Sequence, residues 1–326
     1  MIKYFNLQLF AEIGPINTTQ QSSMNVSWKT FYDTTLLENA KENNVFDQFG
    51  MKQPIKGGKV EWRKFNTFAK ALTPLTEGVI PTGQSFGMTS IEGTVTQHGD
   101  YTTLTDRVQA EMYDDFVFGA TEEMGVAMGE TKDILTRNVL VAGNSVLYCP
   151  KADGTEVVSR ANLDNECILT PAIVHRAATW LIKNKAPKID GWYVAIIHPS
   201  VAHDLMETEE WKKNHYNTNP TPIFKGEIGE LYGVRFVVSN NAKVWKESAG
   251  PAKYATLFFG HNAYGIIEPN GEGTEMIIKQ KEEIGGPLNQ FGTIGYKFCH
   301  GTKILYQERI YRVESGSSFG SVDEAN

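Results

Sequence analysis

Residues 112–142 read MYDDFVFGATEEMGVAMGETKDILTRNVLVA and are the longest stretch of the chain with an uninterrupted helical pattern. Its apolar side chains recur on or near one stripe, which is typical of a helix that buries one face. They are Val117, Met124, Met128, Leu135 and Val139. Acidic residues crowd the first turns, where the helix dipole favours them, and Gly143 supplies a stop signal. The sequence therefore predicts one long helix over residues 112–142.

The segment before this helix predicts an extended β-hairpin over residues 56–106. Val60 and Trp62 alternate with charged residues, and a threonine-rich run at 88–105 is again strand-like. The residues between the two runs, ALTPLTEGVIPTGQSFG, are rich in turn formers. Because an isolated two-stranded ribbon is only marginally stable in water, this hairpin is expected to rest on another surface.

The rest of the chain predicts a mixed α/β organisation. Residues 1–27 are polar and irregular, which favours an extended arm, and residues 28–43 carry apolar side chains at helical spacing. Thr170-Pro171 is typical of a helix start, and His198-Pro199 begins a further short helix. Strands are predicted at 192–197, 234–238, 254–259, 276–279, 296–300 and 304–313.

Three glycines, Gly226, Gly229 and Gly233, lie close together in GEIGELYGVRFVVSNNA at 226–242. A phosphate-binding loop needs a strand before its glycines and a helix after them, whereas here the strand follows. The glycines are therefore interpreted as tight turns where the chain enters a buried strand.

Composition narrows the class of protein. A chain of 326 residues that is 41% hydrophobic can form two closely linked domains with a packed core. Its net charge of −7 argues against a nucleic-acid clamp. Three widely spaced cysteines argue against a disulfide framework and a zinc site, and fit a reducing cytoplasm. No run is apolar enough to predict a membrane-spanning helix, and no secretory signal is expected.

No catalytic, cofactor-binding or metal-binding residues are predicted. The histidines lack metal-ligand spacing, and neither Ser200 nor any cysteine has a recognisable base partner. Adjacent carboxylates such as Glu122 and Glu123 point apart on a helix, so they read as solvated charge rather than an acid/base pair. We therefore expect no enzyme, with a hydrolase or transferase whose site is scattered in sequence as an alternative.

The order of these parts resembles the major capsid protein of tailed bacteriophages, which has the Johnson or Hong Kong 97 fold. Six stretches are similar to one coat-protein family within that fold, and they follow its order over about residues 30–315. They are DTTLLENAKENNVFDQFGMKQPIKGGKVEWRKFN, ALTPLTEGVIPTGQ, ETKDILTRNVLVAGNSVLY, GWYVAIIHPSVAHDL, GEIGELYGVRFVVSNNA and TIGYKFCHGTKILYQERIYRVES. The opening FNLQLFA also resembles the start of virion proteins in phages of low-GC Gram-positive bacteria.

The resemblance implies an α+β fold divided in a definite way. An N-terminal arm and short helix span 1–55, an extended loop spans 56–106, and a C-terminal tail spans 317–326. A peripheral domain with the spine helix 112–142 comprises 107–170 and 270–303, and an axial domain comprises 171–269 and 304–316. The axial domain, with its glycine-turned strand, gathers around the five- and six-fold centres of the shell.

The implied function is self-assembly through pentamers and hexamers into an icosahedral shell around double-stranded DNA. Implied partners are further copies of the chain and a portal protein, with scaffold and decoration proteins as additional candidates. The protein would be assembled in the host bacterial cytoplasm and reside in the virion. Alternatives are a tail-tube protein, a decoration protein or a host-derived compartment shell of the same fold. Because some relatives cross-link lysine to asparagine, Lys64 and Lys70 are candidate donors.

Charge distribution suggests where subunits meet. Residues 52–70 carry six basic residues against Glu61 alone, and residues 111–137 carry seven acidic residues against two basic ones. We hypothesise that the base of the loop contacts the acidic spine of a neighbouring subunit. The residues are Lys59, Arg63, Lys64 and Lys70 on the loop, and Glu122, Glu123, Glu130 and Asp133 on the spine.

Overall fold

A computed structural model describes most of the chain, in segments. They are residues 44–55, 59–66, 68–80, 82–107, 116–217, 227–247, 250–269, 274–280, 283, 288–319 and 323–326. The predicted arm, the helix at 28–43, Gly226 and the first four residues of the predicted spine helix lie outside these segments.

Four α-helices and fourteen β-strands are named in the described segments. The helices are α1 (Phe116–Val141), α2 (Pro171–Lys183), α3 (Pro199–Glu207) and α4 (Glu209–Asn217). The strands of the first half are β1 (Met51–Ile55), β2 (Lys59–Phe65), β3 (Met88–Thr94), β4 (Thr96–Thr105), β5 (Val146–Tyr148), β6 (Tyr193–Ile197) and β7 (Glu227–Leu231). Those of the second half are β8 (Val234–Val238), β9 (Val244–Trp245), β10 (Lys253–Phe259), β11 (Tyr264–Pro269), β12 (Thr274–Lys279), β13 (Phe291–Ile304) and β14 (Ile310–Ser315).

A seven-stranded mixed sheet has the order β5-β14-β10-β6-β8-β7, with β9 paired to β10. Its central strands β6 and β10 are buried on both faces, which explains why β6 is entirely apolar and β10 mostly so. On one face, α2, α3 and α4 complete a large core that includes Val174, Leu205 and Trp211. On the other face, Leu140 near the end of α1 packs with Phe46 and Phe259.

A second, five-stranded sheet has the order β1-β11-β13-β12, with β4 paired to the first ten residues of β13. Helix α1 packs on this sheet, so that Met128 joins Ile294 and Phe298 in one cluster. Four of the five residues of the predicted apolar stripe, all except Val139, lie in this cluster. The long helix is confirmed over its described residues.

Strand β2 pairs with β3 in antiparallel register from Lys59↔Thr94 to Phe65↔Met88, which forms a hairpin as the sequence predicts. The hairpin is shorter than predicted, because the strand-like run at 88–105 divides at Val95. Its second part, β4, pairs with β13 instead of β2. This run looked continuous because both parts have the same threonine-rich pattern.

Several strands pair with strands from another of the predicted domains. Strand β11 pairs with β1 and β13, although residues 171–269 were expected to form one unit. Strand β5 pairs with β14 in the seven-stranded sheet, although residues 107–170 were expected with the spine helix. Strand β1 likewise joins the five-stranded sheet instead of the arm. Such pairings between distant segments leave no local sequence pattern.

Candidate inter-subunit surfaces

The tip of the hairpin, residues 66–87, exposes an unusual amount of apolar surface. Phe86 stacks between Phe65 and Phe68, with ring centroids 5.1 Å and 5.4 Å apart, yet all three rings stay more than half exposed. Four aliphatic side chains beyond them are between 63% and 94% exposed: Leu72, Leu75, Val79 and Ile80. Several large apolar side chains exposed in one segment are typical of an interaction surface.

The base of the hairpin is packed on its own chain. Trp62 is 9% exposed and forms a cluster with Val60, Ile267 and Leu305. Its indole lies against two glycines, since a Cβ added at Gly93 or Gly265 would come within 2.6 Å of the ring. We call Gly265, Ile267 and Leu305, which lie outside the hairpin, the hairpin seat. The seat fixes where the hairpin leaves the body of the subunit.

The four predicted basic residues lie on or next to the hairpin, where three of them have acidic neighbours in the same chain. Lys64 contacts Glu308 at 3.5 Å and lies 4.6 Å from the centre of the Tyr306 ring. The partner of Lys59 is Glu92 (3.8 Å) and that of Arg63 is Glu61 (3.7 Å). Lys70 is exposed in the tip. Pairs as exposed as these contribute only about 0–1 kcal/mol.

The four predicted acidic residues of the spine helix divide into two groups. Glu122, Glu123 and Glu130 are exposed on α1. Asp133 is fully buried, with Oδ1 accepting hydrogen bonds from the backbone N–H groups of Val45 (2.8 Å) and Phe46 (2.7 Å). Its Oδ2 accepts a hydrogen bond from Asn241 Nδ2 (3.1 Å). Asp133 therefore holds segments of its own subunit together, and we omit it from the surface available to a neighbour.

Burial raises the pKa of Asp133 to about 6, although its three hydrogen bonds act in the opposite direction. Nearby, Thr136 Oγ1 donates to Asp47 Oδ1 (3.0 Å) and lies 2.9 Å from His300 Nε2. Burial lowers the pKa of His300, which favours the neutral ring. These polar contacts join residues 44–47, α1, the loop after β8 and strand β13.

A second buried polar network joins the end of α1 to the seven-stranded sheet. Arg312 on β14 donates through Nη1 to the carbonyl oxygens of Val141 and Gly143, the latter at 3.1 Å. A cation at this end of a helix is favoured by the helix dipole. The fully buried Glu314 accepts hydrogen bonds from Arg312 Nε (2.8 Å) and Arg160 Nε (2.6 Å). Every charge in this network therefore has a partner.

The structure assigns different roles to the predicted turn glycines. Tyr232 and Gly233 form the two-residue connection between β7 and β8, and their φ values are 52° and 77°. Two successive positive φ values are those of a type I′ hairpin turn, for which glycine is favoured. Gly229 lies instead within β7, beside a register shift that begins at Glu227. It marks a bulge on an edge strand rather than a turn.

The clusters of polar residues that are described do not form a nucleophile and base. Ser200 Oγ donates to Asp323 Oδ2 (2.6 Å), and His198 Nδ1 accepts from the backbone N–H of Ser200 (3.3 Å). His198 thus caps α3, and the Ser200 hydroxyl is bonded to the Asp323 carboxylate rather than to a histidine. Burial raises the pKa of the Cys149 thiol, which disfavours the reactive thiolate. Among the described residues, none form a group of three potential metal ligands, and no helix is long and apolar enough to cross a membrane.

Sequence reasoning missed the residues that connect the parts of the chain. The sequence predicts Trp62 only as a member of an alternating strand, and Arg312 only as one residue of the strand at 304–313. The two glycines that face Trp62 come from different strands, β3 and β11, so their joint role depends on tertiary packing. The one available signal was a large aromatic residue in a hairpin too polar to form its own core.

Comparisons with known proteins agree on one class. A family model described as phage capsid protein matches residues 89–298. The major capsid protein of Escherichia phage T5 is 25% identical over 119 residues, a match that covers 36% of this chain and 24% of that protein. The chain thus spans about a quarter of the length of this curated relative.

Solved structures show the likeness in fold. The capsid of cyanophage P-SCSP1u has a TM-score of 0.64 at 14% identity and covers 84% of this chain and 89% of its own. The capsid of Ralstonia phage GP4 has the same TM-score and identity, and the match covers 85% of this chain and 92% of that chain. The capsid of Helicobacter pylori bacteriophage KHP30 has a TM-score of 0.61 at 9% identity and covers 81% and 87%.

Proposed function

Because the chain belongs to the phage capsid protein family and is a major capsid protein with the Hong Kong 97-type fold, we propose that it builds a closed shell. Copies of the chain assemble through hexamers and pentamers into an icosahedral container for double-stranded phage DNA. The five-stranded sheet and α1 form its peripheral domain. The seven-stranded sheet forms its axial domain, which gathers around the five- and six-fold centres.

The apolar tip of the hairpin is the observation that carries this proposal. Its aliphatic side chains are mostly exposed in the single chain, and no other described part of the subunit covers them. Burying apolar surface contributes roughly 25 cal/mol per Å², so each of these side chains favours association once it is covered. In a shell, the adjacent copy of the same chain would cover these exposed side chains.

Charged residues help to align neighbouring subunits at this contact. The exposed Arg63 and Lys70 on the hairpin are opposite in charge to the exposed Glu122, Glu123 and Glu130 of α1. Such exposed pairs add little affinity, but they disfavour misaligned approach because like charges then meet. We propose that the two groups meet across the boundary between neighbouring subunits.

The overall charge fits a container for DNA. A strongly basic inner wall would bind the phosphate backbone and hinder release of the genome. The net charge of −7 supports enclosure without sequence-specific binding. We propose assembly in the host bacterial cytoplasm, a portal protein at one vertex, and scaffold and decoration proteins as further partners.

Electron microscopy with sedimentation tests the proposal, using the protein expressed alone and together with the adjoining phage genes. We expect closed polyhedral shells or capsomer rings, and DNA inside shells recovered from infected cells. Protein that remains a monomer in every condition would contradict a shell-forming role. Shells filled with protein cargo instead of DNA would favour a host-derived compartment.

Replacing Leu72, Leu75 and Ile80 by serine tests the hairpin tip. These side chains are exposed in the subunit, so their loss should leave the free energy of unfolding within about 0.5 kcal/mol. Assembly should fall strongly, because the apolar surface that a neighbour covers is gone. Sedimentation measures assembly, and urea unfolding provides the control for folding. Normal shells from this variant would show that the tip is not buried between subunits.

A further inference from the structure

We propose that Trp62 is a positioning residue for assembly, which sets the direction of the hairpin before a neighbouring subunit is bound. This inference rests on the proposed function, since it assumes that the hairpin tip contacts another copy. It goes further in assigning the direction of the hairpin to the subunit's own seat rather than to the neighbour.

The seat is shaped for a flat aromatic ring. Trp62 lies across one glycine of its own hairpin and one of the five-stranded sheet, and both approach the ring too closely for any other residue. A Cβ at Gly265 would lie 2.6 Å from Cζ2, and a Cβ at Gly93 would lie 2.6 Å from Cζ3 and 2.7 Å from Ile267. Contacts this close restrict both the position and the tilt of the ring.

Two further contacts keep the hairpin from turning about Trp62. Close to the end of β3, the carbonyl oxygen of Thr94 would lie 2.5 Å from a Cβ at Gly301, so the two backbones are in direct contact. Two residues beyond Trp62 on β2, Lys64 lies over the Tyr306 ring and contacts Glu308. Trp62, Thr94 and Lys64 are thus three separated points of attachment, which define an orientation.

The limited strand pairing of the hairpin explains why its attachment to the subunit matters for assembly. Among the strands that the structure describes, β2 and β3 pair only with each other, and a two-stranded ribbon alone is marginally stable. An arm without a seat would sample many directions, and association would then have to order it. Because a segment held in its bound conformation loses less entropy on binding, the seat favours assembly without contributing to the interface itself.

The indole also leaves one polar group unsatisfied. Nε1 of Trp62 is buried and has no hydrogen-bond partner among the residues that the structure describes. Burying a donor in this way is unfavourable, so the contribution of Trp62 comes from the size and shape of its ring. Phenylalanine keeps an aromatic ring and removes the N–H, which makes Trp62→Phe the matched control for Trp62→Ala.

Two measurements on the full chain test the inference. Hydrogen exchange of the unassembled subunit reports on the hairpin strands β2 and β3, with β6 and β10 of the other sheet as internal reference. Sedimentation over a concentration series gives the protein concentration at which assembly begins. For Trp62→Ala we expect faster exchange in β2 and β3 alone and about a tenfold or greater rise in that concentration. Trp62→Phe should stay within about threefold of the wild type.

Gly265→Ala tests the seat from the opposite side, without altering the hairpin. The added methyl group displaces the indole, so this variant should show the same two changes as Trp62→Ala, to a smaller degree. If Trp62→Ala fails to fold, Gly265→Ala tests the inference in its place. Wild-type exchange and assembly in Gly265→Ala would overturn the inference.

The inference and the proposed function fail in different ways. Wild-type shells together with unchanged assembly of Trp62→Ala would overturn the positioning role alone. Wild-type protein that forms no shells or rings at any concentration would overturn the proposed function, and the positioning role with it.

Discussion

Asp133 is a buried carboxylate whose environment links the stability of the subunit to pH. Its pKa is raised from 3.8 to about 6, so between these values the folded chain binds more protons than the unfolded chain. Stability contributed by this residue is therefore greatest at low pH and falls as pH rises through that window. The difference amounts to roughly 3 kcal/mol by the linkage relation.

Replacing Asp133 by asparagine should remove this dependence. The asparagine Oδ1 can still accept the hydrogen bonds of Val45 and Phe46, and no charge is buried at neutral pH. Urea unfolding of the unassembled subunit at about pH 4.5 and pH 7 should show that the wild type loses more stability than Asp133→Asn between the two values. Equal losses would mean that Asp133 does not titrate in this range.

Glu314 and Glu308 offer a matched comparison of buried and exposed ion pairs. Glu314 is fully buried between Arg312 and Arg160, whereas Glu308 is more than half exposed beside Lys64. Glu314→Gln should lower the free energy of unfolding by about 3–5 kcal/mol, because it leaves the buried guanidinium group of Arg312 without its counter-charge. Glu308→Gln should lower it by about 0–1 kcal/mol. Thermal or urea unfolding measures both, and similar losses would contradict the role given to the buried network.

At the scale of elements, glycine has opposite effects in α1 and in the β7–β8 turn. Gly119 lies exposed in α1, with no atom near the place of a Cβ, so Gly119→Ala should stabilise the subunit by about 1 kcal/mol. Gly233 has a φ of 77°, so Gly233→Ala should destabilise it by about 1–2 kcal/mol. The two melting temperatures should move in opposite directions. A rise for both variants would argue against the type I′ turn.

The elements differ in how far their sequence determines them. The long helix can be predicted from the sequence because the apolar stripe from Val117 to Val139 depends only on local spacing. The division of residues 88–105 into two strands cannot be predicted in this way. Val95 carries no turn signal, and the partner of β4 lies far away in the sequence, in β13. The strand predicted at 304–313 is present as β14, and all six of its residues are buried, with the side chains of Arg312 and Glu314 paired to each other.

For the whole molecule, the proposed contact between subunits can be tested by reversing charge on each side in turn. Arg63→Glu with Lys70→Glu should impair assembly, because both would then face the acidic surface of α1. Lys64 is left unchanged, since it attaches the hairpin to Glu308 and Tyr306 of the same chain. Unfolding by urea should be close to that of the wild type, because these are exposed positions.

The reciprocal change should restore assembly. Adding Glu122→Lys, Glu123→Lys and Glu130→Lys to the first variant re-establishes opposite charges across the boundary, and sedimentation should again detect shells. Lysine at these three positions alone should impair assembly in the same way as the first variant. Failure of the combined variant, with both single sides impaired, would mean that the two charged groups do not face each other.

The sequence predicts the molecule at large better than its internal connections. The order of hairpin, long helix and α/β unit is visible along the chain, and it led to the right fold. The hairpin seat, Asp133 and Arg312 are not visible, because each joins segments that are distant in sequence. A local sequence pattern indicates which face of a helix or strand is buried. The role of these residues depends instead on which distant segment each of them contacts.

Strand β13 has a mechanical consequence for the assembled protein. Its first ten residues pair with β4, its last four pair with β11, and a single turn of 3-10 helix then leads into β14 of the other sheet. One of the covalent connections between the two sheets therefore runs along this strand. Because ladder hydrogen bonds lie perpendicular to the strands, tension along it shears many of them at once instead of opening them one after another. In the proposed shell, this strand would thus resist separation of the two sheets as a unit.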